Sequence, residues 1–389
     1  TKAYFDNVYA AKDIGANTIG NKTGNFSGDS LVRLSREELT GELAYLKTQL
    51  GFYVPNVNEN GKWVTFADST PVLKSFAKAG ALNLTNALCA DTSWYDKEPY
   101  EISTVAQLYG LAELSKNTDF AGKTITLKAS ITLNADAGDA STWGENAPKY
   151  TWTPIENFAG TFNGNMNTIS GIYLKSSENC LGLFKEVSGT VQNLILENSY
   201  IENTSKTETG TTGSVVGRLN GTLHTVKSNA VGVANGAAYV GGLVGDVIKA
   251  DANMENCWFA GSVSGKGAHH GMLLGGLHEK GASATIKDCL ATGTIDNRSN
   301  TGGLIGTAWK ETQISIENSL FTGTFVKIEG VKSYNIGTVT GNVGNGKLSM
   351  KAVYMKDGSG VGPKVGNKGT NTEQGAITLS EKDLTGEIS

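Results

Sequence analysis

Four groups of side chains in this sequence are of types that could do chemistry. Cys257 and Cys289 stand 32 residues apart in similar contexts, Met254-Glu255-Asn256-Cys257 and Ile286-Lys287-Asp288-Cys289. Such a pair offers a disulfide or a redox couple. The reading preferred is two small buried residues, since a free cysteine packs as a small hydrophobe. Cys89 and Cys180 lack this context and read as free thiols, and there is no Cys-x-x-Cys pair for structural zinc. His269, His270 and His278, three of the four histidines, are the candidate nitrogen donors. Adjacent strand residues point to opposite faces, and no carboxylate stands at a recognised ligand spacing, so an exposed turn is expected and no metal. Asp136, Asp139, Asp246 and Asp251 are the acidic candidates. Glycosidic hydrolysis needs two facing carboxylates at a defined separation. Elimination on a sugar acid needs clustered aspartates with a basic residue beside them. The four arginines, Arg33, Arg36, Arg218 and Arg298, are scattered, with no cluster beside these acids. Gly-x-Ser-x-Gly, a phosphate loop and His-Glu-x-x-His are all missing. The expectation is no catalytic residue, no cofactor and no enzyme. Trp143 lies within, and Tyr150 directly after, a polar segment, Asp136 to Lys149, longer than a tight turn requires. Exposed rings there could stack on a sugar or meet a partner; packing of the loop on itself is the alternative.

What must position these groups is a set of repeats on two scales. Leu34-Ser35-Arg36-Glu37-Glu38-Leu39-Thr40-Gly41-Glu42 returns as Leu379-Ser380-Glu381-Lys382-Asp383-Leu384-Thr385-Gly386-Glu387, an offset of 345 residues that also relates Val8-Tyr9 to Val353-Tyr354. Inside that period, glycines Gly217, Gly245, Gly275 and Gly306 follow at intervals of 28, 30 and 31, each after an apolar pair such as Leu243-Val244. A second column reads Asn198, Asn256, Asp288 and Asn318, each followed by Ser or Cys. The segments between are rich in Val, Ile, Leu and Thr and read as strands. A unit of this size cannot bury both faces alone, but stacked units close a continuous core. The predicted fold is all-β: a right-handed parallel β-helix with rungs of about 30 residues, rising one strand spacing, about 4.8 Å, per rung. Stacking in register predicts that Asn198, Asn256, Asp288 and Asn318 form a side-chain ladder. It also places Tyr200, Trp258, Leu290, Leu320 and Tyr354 in one column, with Trp258 in the core.

Two capping boxes mark helices. Ser35 with Glu38 opens residues 35–51, and Thr104 with Gln107 opens residues 104–116. The predicted organisation is the end of one solenoid in residues 1–80, a linker at 81–99, and a second solenoid in 100–389. Its rungs run from about 120 to 368, and a closing helix starts at 380–389. Composition agrees with a packed chain: 39% hydrophobic and 18% charged residues exclude an acidic or basic disordered tail. A net charge of −4 with only four arginines argues against nucleic acid. No run approaches the roughly 18 apolar residues of a membrane span. The opening Thr1-Lys2-Ala3-Tyr4 has no initiator Met and no signal h-region, so a removed signal or a piece of a longer chain is expected.

Phe158-Ala159-Gly160-Thr161-Phe162-Asn163-Gly164 to Ile172, the Gly-Gly-Leu-Val-Gly run at 241–245 and the Gly-Gly-Leu-Ile-Gly run at 302–306 resemble the GLUG-motif repeat proteins. Tyr100 to Leu127 is similar to that family's lead-in helix and first strand, and Trp63 to Leu73 to its closing tail. The resemblance covers nearly the whole chain in permuted order; Met272, Thr338 and Thr340 depart from it. It implies a secreted or cell-surface bacterial protein with a structural or adhesive role, tandemly repeated into a fibre or stalk. The partners implied are neighbouring copies meeting head to tail, or a glycan or protein of the surroundings. The alternative is a carbohydrate-binding or carbohydrate-cleaving β-helix.

Overall fold

The apolar residue ahead of each recurring glycine starts a strand, and these strands lie side by side. In a computed structural model of the chain, Val216, Val244, Leu274 and Ile305 pair in that order, parallel and in register. All four are fully buried, as the repeat predicts. The column continues to Phe184 and Ile155 on one side and to Thr340 and Val365 on the other. The structure describes residues 90–385 apart from breaks at 206–209, 235, 237, 360–361 and 372–373, together with seven short strands within residues 1–89. The chain divides into two units, Thr1–Asp91 and Thr92–Ser389.

The second unit is a parallel β-helix. One rung runs through Val216–Leu219, Thr222–Ser228, Val231–Ala234 and Tyr239–Gly241. Each strand pairs in parallel with its counterpart in the next rung: Val244–Val247, Ala252–Glu255, Ser262–Gly265 and His270–Gly271. A second inward column stacks Ile125, Phe162, Val191, Leu223, Met254, Ile286 and Ile316. Each such side chain contributes about 1.5–3 kcal/mol by leaving water, and stacking in register lets every rung use the same pocket.

The glycines of the motif are a packing requirement. The strand Tyr239–Gly241 and its counterparts fold back over the outer side of the next strand. A Cβ on Gly241 would fall on the Val244 carbonyl, and one on Gly245 would stand 2.7 Å from the Thr212 amide nitrogen one rung away. Only a residue without a Cβ permits that approach. At Gly242 and Gly303 a ring adds to the backbone: a Cβ at Gly242 would meet the Met272 carbonyl and the ring of Phe259, and one at Gly303 the Thr338 carbonyl and the ring of Phe321. Phe259, Ala291 and Phe321 form one column. Met272 replaces the glycine in the rung where Ala291 replaces the ring, and it is fully buried.

Helix Val105–Leu114 begins as its capping box predicts: Thr104 accepts from the Gln107 amide, and Gln107 Oε1 accepts from the Ser103 amide. The helix lies against the strand Ile155–Phe158, the first of its sheet. The free edge of that strand is closed by Ser115 Oγ, which accepts from the Glu156 amide at 2.9 Å, and by the Ala159 amide donating to the Asp119 carbonyl. A covered edge cannot recruit foreign strands. Beyond the last rungs, helix Glu381–Thr385 starts at a Ser380–Asp383 box.

In the first unit, Val8–Ala11 pairs in parallel with Leu31–Leu34, Val8 opposite Leu31 and Ala11 opposite Leu34. In the second, Val353 is opposite Ala376 and Lys356 opposite Leu379. The 345-residue offset therefore relates strand pairs as well as residues. Trp63–Val64 and Val72–Leu73 pair antiparallel. The helix expected over 35–51 and Cys89 lie outside the described residues.

Candidate functional site

Trp143 does not offer itself to a ligand. Its ring is fully buried, its Nε1 donates to the Ala137 carbonyl at 2.8 Å, and it meets Tyr173 edge to face. The segment folds inward because the Tyr173–Tyr200 stack gives it an apolar seat. Asn198, at the end of its column, anchors it: Oδ1 accepts from the Ala140 amide and Nδ2 donates to the Gly138 carbonyl. Tyr150 is half-buried, held by Asn134, which bonds both its amide and its carbonyl. Of the two readings, Trp143 follows the packing of the loop on itself, and Tyr150 keeps part of its ring at the surface.

Asn198, Asn256, Asp288 and Asn318 share a left-handed backbone, with φ of 41°, 53°, 54° and 45°. Asn and Asp tolerate that conformation better than other side chains, and this explains the column. Laddering is partial: Asn318 Nδ2 donates to Asp288 Oδ1. Amide ladders occur at other corners, Asn335 to Asn300 at 2.7 Å and Asn367 to Asn342 at 3.0 Å. The neighbouring Ser/Cys column is the more regular device. Ser199, Cys257, Cys289 and Ser319 each donate to the carbonyl two residues back, at 2.8, 3.3, 3.1 and 2.9 Å. Both cysteines are free thiols, as is Cys180.

Trp258 lies outside the core. It pairs with Lys227 and Leu290, and the column continues through Leu320 and Tyr354 to Ile377, facing outward. Tyr200 belongs to another sheet. Trp258 is 38% exposed, with Lys227 Nζ 4.7 Å above its ring and its Nε1 donating to Thr292. The strand alternation starts one residue from where the motif spacing placed it, and one residue turns a side chain to the other face. Beside this stripe runs a column of alternating charge, Glu255, Lys287, Glu317 and Lys351. Ion pairs of 3.2 and 2.7 Å link Lys287 to Glu255 and Lys351 to Glu317. Exposed pairs contribute under about 1 kcal/mol each.

The densest titratable cluster lies over the eight-stranded sheet. Arg218 and Asp246 are register partners, and the guanidinium binds both carboxylate oxygens, Nε to Oδ1 at 3.0 Å and Nη2 to Oδ2 at 3.1 Å. One of the scattered arginines thus stands beside one of the candidate acids. Their 28-residue separation equals that of Gly217 and Gly245, so the repeat carried the signal. Asp246 is fully buried. Burial lifts its carboxyl to about 6 against the opposing pull of Arg218. His278 Nδ1 stands 3.7 Å from Asp246 Oδ2. The Tyr239 ring is stacked between His269 at 4.7 Å and His278 at 4.5 Å. These histidines are not an exposed turn: burial lowers His269 to about 4 and His270, fully enclosed, to about 3. Tyr239 keeps His269 and His278 apart, and among the described residues no group of three or more His, Cys, Asp or Glu side chains is placed to hold a metal. With both oxygens taken by one guanidinium, Asp246 ties adjacent rungs. Asp139 caps the turn Ala140–Thr142 by accepting from Ser141, which holds its carboxyl below the usual range. Asp251 binds Ser283. These acids are not brought together.

No family model matches the sequence. A stretch of 157 residues, 38% of the chain, is 35% identical to halomucin of Haloquadratum walsbyi (strain DSM 16790 / HBSQ001), of which it spans 2%. Among solved structures the fold is similar to that of a Bacteroides ovatus protein described as a "putative immunoglobulin A1 protease", with a TM-score of 0.52 at 15% identity over 74% of this chain and 86% of that one. At that identity the likeness is one of fold. The class defined is the parallel β-solenoid.

Proposed function

We propose that this chain is a non-catalytic, structural or adhesive segment of a large secreted or cell-surface protein, built from tandem solenoids of the GLUG type. One observation carries the reading: a strand pair of the solenoid recurs at an offset of 345 residues with its register unchanged, Val8 to Leu31 and Val353 to Ala376. A tandem array extends reach and multiplies weak contacts, whereas catalysis needs one site. The similarity to a segment of halomucin supports placement in a long surface protein. The partners on this reading are neighbouring copies. Antibodies against residues 92–385 are expected to label intact cells of the source organism, and native material to image as rods with an axial repeat. Labelling only after lysis overturns the assignment.

A second reading, binding of a glycan chain, has its own support. A shallow trough of about 400 Å³ runs across the outer face of the long sheet, lined by Asn253, Thr285, Ser315 and Ser349 with Asp251 and Lys347 at its side. Its polar groups recur once per rung. A glycan array with a depolymerisation assay on the same sample separates the two: retention of a polysaccharide supports binding, and release of reducing ends or unsaturated products overturns the non-catalytic reading.

A further inference from the structure

Cys257 and Cys289 sit one above the other. The residues on either side of them pair in register, Glu255 with Lys287 and Trp258 with Leu290. The Leu290 amide donates to the Cys257 carbonyl at 2.8 Å, and Cys289 Sγ reaches over the lower rung to 3.5 Å from the Met254 carbonyl. In-register parallel neighbours are about 4.8 Å apart, inside the Cα separation that a disulfide spans. The two thiols contact each other, 1% and 2% exposed. Elsewhere in this column serine makes the same bond to the carbonyl two residues back. Packing and hydrogen bonding therefore do not require sulfur here; what two adjacent cysteines add is sulfur chemistry.

We propose that Cys257 and Cys289 form a peroxide-responsive disulfide that staples two adjacent rungs. The neighbouring Cys257 thiol holds Cys289 below its ordinary range while Cys257 itself is pushed up, which makes Cys289 the attacking sulfur. Its thiolate attacks one oxygen of hydrogen peroxide. The O–O bond breaks, the departing hydroxide takes up the thiol proton as water, and Cys289 becomes a sulfenic acid. The Cys257 sulfur then attacks the Cys289 sulfur. The S–O bond breaks, and the hydroxide leaves with the Cys257 proton as a second water. Two thiols lose two electrons, and one peroxide becomes two waters. Near-complete burial selects an oxidant of about the size of water.

The full chain is treated with hydrogen peroxide, quenched, unfolded in alkylating reagent and mapped by mass spectrometry. The thiols of Cys257 and Cys289 are expected to disappear together, with one linked peptide joining 257 to 289 and a rise in Tm. In Cys257→Ser, which keeps the column's hydrogen bond, the link is lost and a dimedone adduct is expected at Cys289. Cys180, also buried and free, is the internal comparison. Oxidation of Cys180 with 257 and 289 untouched overturns the proposal. So do sulfinic acids at 257 and 289 without a link, or a link that forms faster in denaturant than in the native protein.

Discussion

Met272 and Ala291 trade volume within one rung. In the rungs on either side the corresponding pairs are Gly242 with Phe259 and Gly303 with Phe321, and in each a ring lies where a glycine Cβ would be. A methionine stands where the ring is missing, and Gly323 leaves space for its terminal methyl: a Cβ there would come within 2.6 Å of Met272 Cε. Met272→Gly is expected to cost about 2–4 kcal/mol by leaving a cavity, and Ala291→Phe about 1–3 kcal/mol by overpacking. The double variant recreates the Gly–Phe pair of the neighbouring rungs, so most of both losses is expected to return in denaturant unfolding. Additive losses in the cycle show that the two sites do not share a space.

Acid destabilises this solenoid through His270. Its folded pKa of about 3 lies below the ordinary 6.5, so the fold favours the neutral ring. The stability tied to that ring is complete above pH 6.5 and is lost progressively as pH falls towards 3. The coupling is on the order of 4 kcal/mol, and His269, lowered to about 4, adds to it in the same direction. Asp246, raised to about 6, acts oppositely between pH 3.8 and 6 and offsets part of the slope. Val240 occupies the position of His270 one rung earlier. His270→Val is therefore expected to raise Tm below pH 6 and to leave it nearly unchanged at pH 8. A wild-type Tm flat from pH 7 to 4 contradicts the burial of these rings.

The rung stack could be read from the chain because one glycine spacing fixes which residues share an inward column, as Val216, Val244, Leu274 and Ile305 do. The same spacing contained the Arg218–Asp246 pair, which emerges only when residues 28 apart are compared for charge. Trp258 departs from its expected place because apolar type does not choose a face: the left-handed corner at Asn256 resets the alternation, and the Asn column marks that corner without saying which face follows it. Trp143 reads as exposed because its segment is polar, yet its seat, Tyr173 and Tyr200, comes from two later rungs. The buried histidines looked like a turn because Gly and Ala flank them; the enclosing Tyr239 and Trp309 belong to neighbouring rungs.

Removing Arg218 leaves a buried carboxylate alone, and the penalty depends on whether that carboxylate is charged. Arg218→Ala is expected to lower stability by about 3–5 kcal/mol at pH 8, where Asp246 is ionised. With the pull of Arg218 gone the carboxyl takes its proton at a higher pH than in the wild type; as it does, the uncompensated charge disappears, and the difference from wild type shrinks as pH falls. Arg218→Ala/Asp246→Ala recovers much of the loss at pH 8. Thermal denaturation across pH 5 to 8 checks this; an equal loss at both ends places the effect in lost packing instead of charge.

The recurrence of register at an offset of 345 residues can be read by cross-linking. Ala10 opposes Arg33, and the corresponding pair in the later copy is Met355 opposite Thr378. All four residues lie within strands, so replacing two of them by cysteine puts the new thiols on one face, about 5 Å apart at Cα. Ala10→Cys/Arg33→Cys and Met355→Cys/Thr378→Cys are therefore expected to cross-link at similar rates with a short bifunctional reagent, in a background where the natural cysteines are serine. Ala10→Cys/Leu31→Cys shifts one partner by two residues along the strand. The alternation keeps the thiols on the same face but adds about 6.6 Å along the chain, so the rate is expected to fall at least tenfold. A slip of one residue in the earlier copy turns its whole apolar set to the other face. It would show as faster linkage of Ala10→Cys with a cysteine at Val32 or Leu34, and that result breaks the equivalence of the two copies on which the tandem reading rests.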